Sequence, residues 1–175
     1  MGKSLALEFS SRFKSGSVVL LIDPSEDNLQ EVKKEILLSV EQEIQVITIP
    51  IQKWENIRGS FFNDVLSKIM NHYSNVSFEL SIIMHNEGAG ATKLLLEPQS
   101  PIEWKEYVDE NLNAVVALNQ AFLKLKAFEN VEKLIVNVTS SLSTIPWKSN
   151  NLSCSCKKAR DMYFRSLANE EAGSY

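Results

Sequence analysis

The apolar positions of this chain alternate between a helical period and short continuous runs. Residues such as Leu29, Val32 and Ile36 recur every three or four positions, which is the spacing of one face of an α-helix. This period predicts helices around Leu5 to Phe13, from Ser25 beyond Ile36, from about Asn56 to Tyr73, from about Pro101 to Phe128, and from about Leu152 to Asn169. The continuous runs predict strands from Val18 to Ile22, Ile44 to Ile49, Phe78 to Met84 and Leu134 to Val138.

The predicted strands are almost entirely apolar, which is typical of strands that are buried on both faces of a sheet. Helical segments separate them, so the strands are expected to run parallel with right-handed crossovers. These features predict an α/β fold, with a Rossmann-like doubly wound parallel sheet flanked by helices. Because the 175 residues contain no repeat and no Gly/Ser linker, residues 1–175 are expected to form a single domain.

Composition and charge exclude several classes of protein. The chain has 18 Lys and Arg against 22 Asp and Glu, so its net charge of -4 gives no overall attraction to nucleic-acid phosphates or anionic lipid. The longest apolar runs are far shorter than the roughly 20 residues that span a bilayer, and the N-terminus has no signal-peptide pattern. We therefore expect a cytoplasmic protein that binds neither nucleic acid nor membrane.

The two cysteines, Cys154 and Cys156, are separated by one residue, which makes a disulfide between them sterically difficult. We expect both to be reduced thiols. A structural zinc site usually needs four ligands, and His72 and His85 lie far from the cysteines in the sequence. No metal site is therefore expected.

Polar or glycine residues follow each predicted strand, at the place where ligands bind in doubly wound sheets. The four segments are Asp23-Pro24-Ser25, Ile51-Gln52-Lys53, His85 to Gly90 and Thr139-Ser140-Ser141. A Gly88-Ala89-Gly90 turn either lets the backbone approach a ligand closely or is a plain turn. Ser140 either orients a carbonyl group or caps a helix, as serine often does. The residues alone leave both alternatives open.

The segment LIVNVTSSLSTIPWKSNNLSCSCKKARDMYFRSLANEE, which starts at Leu134, resembles the catalytic strand and helix of the short-chain dehydrogenase/reductase family, including its sepiapterin reductases. In that family a serine is followed thirteen residues later by Tyr-x-x-x-Lys. The resemblance places the catalytic serine at Ser140 and the lysine at Lys157, with Ser153 in place of the tyrosine. It implies that the serine positions a substrate carbonyl, the tyrosine donates a proton, and the lysine lowers the phenol pKa and holds the cofactor ribose.

Segments nearer the N-terminus extend the resemblance over essentially the whole chain. SIIMHNEGAG stands where the family has an Asn-Asn-Ala-Gly turn, which implies cofactor contacts at Asn86 and Gly88. ENLNAVVALNQ matches the helix that carries the family's catalytic asparagine, here Asn113. MGKSLALEF resembles the end of the Gly-rich phosphate loop, with Gly2 as its final glycine. The resemblance implies NADP(H) as the cofactor.

The replacement of the family tyrosine predicts weak catalysis. An aliphatic hydroxyl such as that of Ser153 has a pKa nearer that of water, about 15.7, than that of a phenol, about 10. The serine side chain also ends well short of the place of a phenol oxygen. Because a positioned general acid is worth about 10²- to 10⁴-fold in rate, we expect activity to be slight or lost.

Several positions depart from the family's cofactor site. The chain begins after the family's first strand and after the first two glycines of the phosphate loop, so Gly2 is expected to be the remaining part of that loop. The family's C-terminal strands are expected to be missing as well. Asp23 stands near the place of a basic residue and is expected to repel the NADP 2′-phosphate. Gln52 replaces an acidic residue beside adenine, and Glu87 sets a carboxylate near the cofactor.

Two functional hypotheses follow. The first is a relative of the NADPH-dependent reductases that act on pterin side-chain carbonyls in tetrahydrobiopterin biosynthesis, with its activity weak or lost. The second is a non-catalytic interaction protein on the same scaffold. The resemblance implies a homodimer through the helices at residues 105–128 and 152–169. Apolar side chains surround the second helix, although ordinary core packing also explains them: Met162, Tyr163, Phe164 and Leu167.

Overall fold

The computed structural model describes residues 1–51, 60–88, 90, 92–94, 97 and 100–172. The chain forms two compact units, Met1–Lys53 and Trp54–Tyr175. Each unit contains a pair of parallel strands with helices packed against it. The expectation that residues 1–175 behave as one domain stays a prediction.

The first unit pairs strand β1, Val18–Asp23, with strand β2, Gln45–Pro50, in parallel register. Helix α1 spans Gly2–Ser10, and helix α2 spans Glu26–Ser39. The core of this unit is formed by Ile36, Ile44 and Val46, with Ala6, Leu7, Val19, Leu21, Val32 and Val40 packed against them. Side chains of helical spacing and side chains of the continuous runs thus meet in one core, as the sequence pattern predicts.

Polar residues after β1 stabilise the start of α2. Ser25 is the N-cap, and its hydroxyl accepts a 3.3 Å hydrogen bond from the backbone N–H of Asn28. Asp23 accepts a 2.9 Å hydrogen bond from the backbone N–H of Ser25. The carboxylate at the end of β1 therefore has a structural role in the turn that joins the strand to the helix.

The second unit pairs strand β3, Leu80–His85, with strand β4, Glu132–Asn137, again in parallel register. Its described helices are α3 at Phe61–Met70, α4 at Pro101–Val108, α5 at Ala114–Leu123 and α6 at Asn151–Glu171, with short 3-10 helices at Asn71–Tyr73, Lys126–Phe128 and Ser141–Ser143. Helix α3 packs against α5, α5 against β3, and α4 against α6. The register sets His85 beside Asn137, so the carboxyl ends of both strands lie at one edge of the sheet.

The helix predicted from Pro101 to Phe128 is interrupted by a π-helical turn at Asp109–Asn113. A π turn closes over one more residue than an α turn, so it changes which side chains face the core. Within it, Asn111 is 1% exposed, and its side-chain N–H donates a 3.0 Å hydrogen bond to the carbonyl oxygen of Tyr107. Asn113 is exposed. The predicted long helix is therefore found with a π turn inside it, and its last α-helical residue is Leu123 rather than Phe128.

The predicted fold class is confirmed, because parallel strands flanked by helices form an α/β arrangement of the Rossmann-like type. Every predicted strand occurs, with ends that lie within two residues of the predicted ones. Gln52, Lys53, Ala89 and the predicted helix start at Asn56 lie outside the described residues. Among the helices of the described ranges, none combines the length and the apolar character needed to cross a membrane.

Candidate functional site

A buried arginine joins the carboxyl ends of β3 and β4 to helix α6. The side chain of Arg160 is 1% exposed. Its Nη2 donates 2.9 Å hydrogen bonds to the carbonyl oxygen of His85 and to Oδ1 of Asn137, the last residues of the two strands. Its Nη1 donates a 2.8 Å hydrogen bond to the carbonyl oxygen of Glu87. These bonds hold α6 against the sheet edge where the sequence predicts a ligand site.

The carboxylate of Glu87 faces the same arginine and a histidine. Its Oε1 lies 3.9 Å from Nη1 of Arg160 and 3.5 Å from Nδ1 of His85. Burial raises the pKa of Glu87, but the His85 imidazole and the Arg160 guanidinium together outweigh burial and hold this pKa below its usual value. At neutral pH, Glu87 is therefore a mostly buried anion that balances the charge of Arg160.

Gly88 and Lys157 lie in close contact beside this charge pair. Gly88 has a φ of +152°, a conformation that residues with a Cβ rarely adopt. A Cβ built on Gly88 would lie 2.5 Å from Nζ of Lys157 and 3.5 Å from Oδ1 of Asn111. The same Nζ donates a 3.1 Å hydrogen bond to the carbonyl oxygen of Glu87. Glycine is therefore required here both by the backbone conformation and by the lysine.

The ammonium group of Lys157 is partly shielded from solvent. Burial lowers the pKa of Lys157 and the nearby charge of Arg160 lowers it further, whereas Glu87 and Cys156 raise it. The net pKa of Lys157 lies below its ordinary value. A shifted pKa that arises from burial together with specific charged neighbours is common at functional sites.

Two side-chain amide oxygens at this site are buried without a hydrogen-bond donor among the described residues. They belong to Asn86 and Asn111. An unpaired buried acceptor costs about 1–3 kcal/mol, so such groups normally have a partner. Both oxygens are therefore suited to accept hydrogen bonds from a bound molecule. The sequence predicts a role for Asn86 but not for Asn111. The spacing of the apolar residues does not reveal the π turn that directs the side chain of Asn111 inward.

Ser153, which stands in place of the family tyrosine, is hydrogen-bonded to a tyrosine side chain on another helix. Ser153 lies one turn before Lys157 on α6 and is 1% exposed. Its Oγ lies 2.9 Å from Oη of Tyr107, on α4. Burial raises the pKa of Tyr107, and its hydrogen bond with Ser153 partly opposes that effect. The sequence does not single out Tyr107, because the contact joins residues 46 positions apart.

A cavity of about 250 Å³ adjoins the phenol of Tyr107. Its lining consists of Thr92, Lys93, Glu103, Tyr107 and Leu152. Nζ of Lys93 and Oε2 of Glu103 form an ion pair of 2.7 Å, so charges of opposite sign meet at the cavity. The volume lies just below the roughly 300–1,000 Å³ of ordinary small-molecule sites.

Ser140 caps the short helix Ser141–Ser143 that follows β4. Its Oγ accepts a 3.3 Å hydrogen bond from the backbone N–H of Leu142. The short helix packs against α6, the helix that carries Ser153 and Lys157. The capping alternative for Ser140 is thus confirmed, and its role in orienting a carbonyl stays a prediction.

Asn113 lies apart from this cluster within the second unit, and Gly2 belongs to the first unit. Asn113 is exposed, and its Nδ2 donates a 2.8 Å hydrogen bond to Oδ1 of Asp109. Gly2 is the first residue of α1 in the first unit. The asparagine that reaches Gly88 is Asn111, two positions before the predicted one. In the part of the chain that the structure describes, no group of three or more His, Cys, Asp and Glu side chains is arranged to hold a metal ion.

Comparisons with known proteins agree with this architecture. A family model for short chain dehydrogenases matches residues 1–174, so the chain belongs to the short-chain dehydrogenase family. The chain is 29% identical to the sepiapterin reductase of Xenopus laevis over 175 residues, which cover 97% of this chain and 64% of that protein. It is 30% identical to a benzil reductase ((S)-benzoin forming) of Bacillus subtilis (strain 168) over 111 residues, which cover 63% of this chain and 44% of that protein.

The fold is shared with solved structures. A metagenomic short-chain oxidoreductase in complex with NADP matches with a TM-score of 0.77 at 19% identity, over 97% of this chain and 70% of that chain. At that identity the likeness shows the fold. The chain spans about 64% of the length of the Xenopus laevis sepiapterin reductase.

Proposed function

We propose that Gly88, Asn111 and Lys157 form the nicotinamide-ribose end of an NADP(H) site in a sepiapterin-reductase-like protein. The observation that supports this proposal is the contact between Gly88 and Lys157, in which a Cβ would approach Nζ to 2.5 Å. An ammonium group has three N–H donors, and the described hydrogen bond to Glu87 uses one of them. The others are suited to the hydroxyl groups of a ribose.

The described residues fit the nicotinamide end of such a cofactor. The buried amide oxygens of Asn86 and Asn111 supply acceptors, and Lys157 supplies donors. The negative charge of Glu87 repels an anionic ligand only in part, because the positive charge of Arg160 lies 3.9 Å from it. When bound, a reduced nicotinamide supplies hydride to a carbonyl carbon. In the first unit, Asp23 lies at the end of β1. That its carboxylate weakens binding of the NADP 2′-phosphate stays a prediction.

The proposed reaction is a slow reduction of a carbonyl group, with a pterin side-chain ketone as the expected substrate. Ser153 occupies the place of the family tyrosine, and its hydroxyl is a far weaker acid than a phenol. The loss of a positioned general acid lowers the rate by about 10²- to 10⁴-fold. Ser153→Tyr is therefore expected to raise the rate of sepiapterin reduction. An unchanged rate would place the defect in cofactor binding instead.

The cofactor proposal is tested by titrating NADPH while the melting temperature and the tryptophan fluorescence are measured. NADPH is expected to raise the melting temperature of the wild type, because a ligand that binds only the folded state stabilises it. Lys157→Met is expected to weaken this response. Lys158→Met is the matched control, because Lys158 is exposed and adjacent. A wild type that does not respond to NADPH even at millimolar ligand would contradict the proposal.

A second candidate function is supported by an open groove of about 560 Å³ between α5 and α6. Val116 and Ala117 line it from α5, and Ala159 and Met162 line it from α6. The side chain of Met162 is 54% exposed, so apolar surface faces solvent along this groove. We propose that a second copy of the chain covers the groove, which would make the protein a homodimer whether or not it retains catalysis.

A further inference from the structure

We propose that His85 is a positioning residue, which carries a proton on Nδ1 and uses it to hold the carboxylate of Glu87 beside the proposed cofactor site. The inference rests on the proposed function only for the role that it gives to Lys157. The observation that carries it is a pair of buried atoms, His85 Nδ1 and Glu87 Oε1, which lie 3.5 Å apart. Neither atom has a hydrogen bond of ordinary geometry with a described residue.

The imidazole of His85 is fixed on several sides. Its side chain is 0% exposed, and its ring centre lies 5.2 Å from that of Phe164 on α6. The main chain is held as well, because the carbonyl oxygen of His85 accepts 2.9 Å hydrogen bonds from Nη2 of Arg160 and from the backbone N–H of Val138. The buried ring therefore has little freedom to turn, and Nδ1 stays close to the carboxylate of Glu87.

The charge of Glu87 determines where the imidazole proton lies. Its Oε1 is 3.9 Å from Nη1 of Arg160, which favours the ionised carboxylate, and an ionised carboxylate only accepts hydrogen bonds. An unprotonated Nδ1 would turn a lone pair toward this negative oxygen and leave two buried acceptors without a donor, which is unfavourable. A proton therefore lies on Nδ1. At 3.5 Å the contact is longer than an ordinary hydrogen bond, so the attraction is mainly electrostatic.

The second ring nitrogen does not compete for this proton. Nε2 of His85 lies 3.3 Å from Oδ1 of Asn119 on α5, and the amide nitrogen of Asn119 donates a 3.1 Å hydrogen bond to Oη of Tyr163. A side-chain amide has a donor on one side and an acceptor on the other, so Asn119 is able to pair with Nε2 whether or not Nε2 carries a proton. The requirement for a proton on Nδ1 holds for the neutral and the charged ring alike.

Glu87 connects this contact to the lysine. Its carbonyl oxygen accepts hydrogen bonds from Nζ of Lys157 at 3.1 Å and from Nη1 of Arg160 at 2.8 Å. The next residue, Gly88, is the one whose Cβ would lie 2.5 Å from the same Nζ. The side chain of Glu87 is thus held by His85 and its main chain by two cations. His85 acts on Lys157 through Glu87, because its own side chain is 0% exposed.

The place of the proton is tested by NMR on the ¹⁵N-labelled full chain without any ligand. The sequence has two histidines, His72 and His85, and His72 is exposed. A two-bond ¹H–¹⁵N correlation spectrum distinguishes a ring nitrogen that carries a proton from one that does not, and His72→Gln identifies the signals of His85. We expect a protonated Nδ1 in His85 at pH 7. An unprotonated Nδ1 would overturn the inference. This measurement needs no substitution of His85, so it does not depend on whether a variant folds.

The positioning role is tested with two substitutions of similar volume. The amide nitrogen of asparagine lies as far along the side chain as Nδ1 of histidine, whereas leucine has no donor at that place. At pH 7 without NADPH, His85→Asn is expected to melt at a higher temperature than His85→Leu, because leucine leaves Oε1 of Glu87 without this donor. A histidine that only fills the core would give the opposite order, since leucine is more apolar. An equal or opposite order would overturn the positioning role.

The same pair of variants tests the effect on the cofactor site. His85→Leu is expected to bind NADPH about 3- to 10-fold more weakly than His85→Asn, the usual value of one hydrogen bond. In a Glu87→Ala background the two are expected to bind equally, because His85 acts through Glu87. His72→Asn and His72→Leu are the matched controls and are expected to bind NADPH as the wild type does.

The results also separate this inference from the proposed function. Equal binding of NADPH by His85→Asn and His85→Leu would overturn the effect on Lys157. A protonated Nδ1 and a more stable His85→Asn, together with no response of the wild type to NADPH, would support the positioning of Glu87 by His85 and contradict the cofactor proposal.

Discussion

Nε and Nη2 of Arg160 both donate hydrogen bonds to Oδ1 of Asn137, at 3.2 and 2.9 Å. One guanidinium edge therefore binds one amide oxygen, and α6 cannot slide along β4 without breaking both bonds. The same side chain also bonds the carbonyl oxygens of His85 and Glu87. This buried cation thus helps to hold the helix that carries Ser153 and Lys157 against the ends of β3 and β4.

The first prediction concerns the stability that this cation gives. Arg160→Met is expected to lower the free energy of unfolding by about 3–5 kcal/mol, because it leaves the carboxylate of Glu87 and several buried acceptors without their partner. Urea denaturation followed by circular dichroism measures the change. Arg160→Lys is expected to lower the free energy of unfolding by less, because an ammonium group keeps the charge. Some stability is still lost, because lysine cannot form the two parallel hydrogen bonds with Asn137.

A matched control lies five residues further along the same helix. The side chain of Arg165 is 70% exposed and pairs with Asp161 at 2.9 Å. Arg165→Met is expected to change the free energy of unfolding by less than about 1 kcal/mol, the usual limit for an exposed ion pair. Similar losses for Arg160→Met and Arg165→Met would contradict the assigned role of Arg160.

The second prediction concerns the glycine beside Lys157. Gly88→Ala is expected to destabilise the fold by about 1–3 kcal/mol, because φ is +152° and the new Cβ would lie 2.5 Å from Nζ of Lys157. It is also expected to abolish the rise in melting temperature with NADPH, since the lysine must move. Gly90→Ala is the control, because its Cβ would meet no atom of the described residues within 4 Å. Equal effects of the two changes on stability and NADPH response would refute this prediction.

The third prediction concerns acidification. The pKa of Glu87 in the folded protein is below its ordinary value of 4.5, because His85 and Arg160 together outweigh the effect of burial. The stability that the charge of Glu87 provides is therefore fully present above about pH 4.5 and is lost as the pH falls through the folded-state pKa. Glu87→Gln is expected to be less stable than the wild type at pH 7, and the difference should narrow below about pH 4.5.

Urea denaturation between pH 7 and pH 3.5 measures this difference. Glu129→Gln is a suitable control, because Glu129 is exposed. A difference between Glu87→Gln and the wild type that stays constant over the whole pH range would show that the lost stability is not electrostatic.

The sequence pattern predicts the elements of the fold well, because their determinants are local. The apolar runs Val18–Ile22 at β1 and 134–136 at β4 are short and rich in β-branched residues, which favours strands, and both strands lie within two residues of their predicted bounds. The helix predicted from Leu152 to Asn169 is found at Asn151–Glu171. In each case short-range periodicity is sufficient, because burial on one or both faces sets the period.

The site is less predictable, because its determinants are not local. Asn111 faces the site because of the π turn at Asp109–Asn113, whereas the resemblance to the family indicates Asn113 instead. Tyr107 meets Ser153 across 46 residues. The resemblance to the family identifies Lys157 and the missing tyrosine, but it cannot show that a phenol from α4 contacts the position of that tyrosine.

The last prediction concerns the groove between α5 and α6. If a second copy of the chain covers it, Met162→Glu is expected to convert dimers to monomers, because an unpaired carboxylate would be buried in an apolar interface. Sedimentation velocity over a range of concentrations measures the change. Leu38→Glu is the control, because it adds the same charge at an apolar side chain that is 77% exposed on α2. A wild type that sediments as a monomer at every concentration would contradict the proposed homodimer, and loss of the dimer in both variants would show that net charge is responsible.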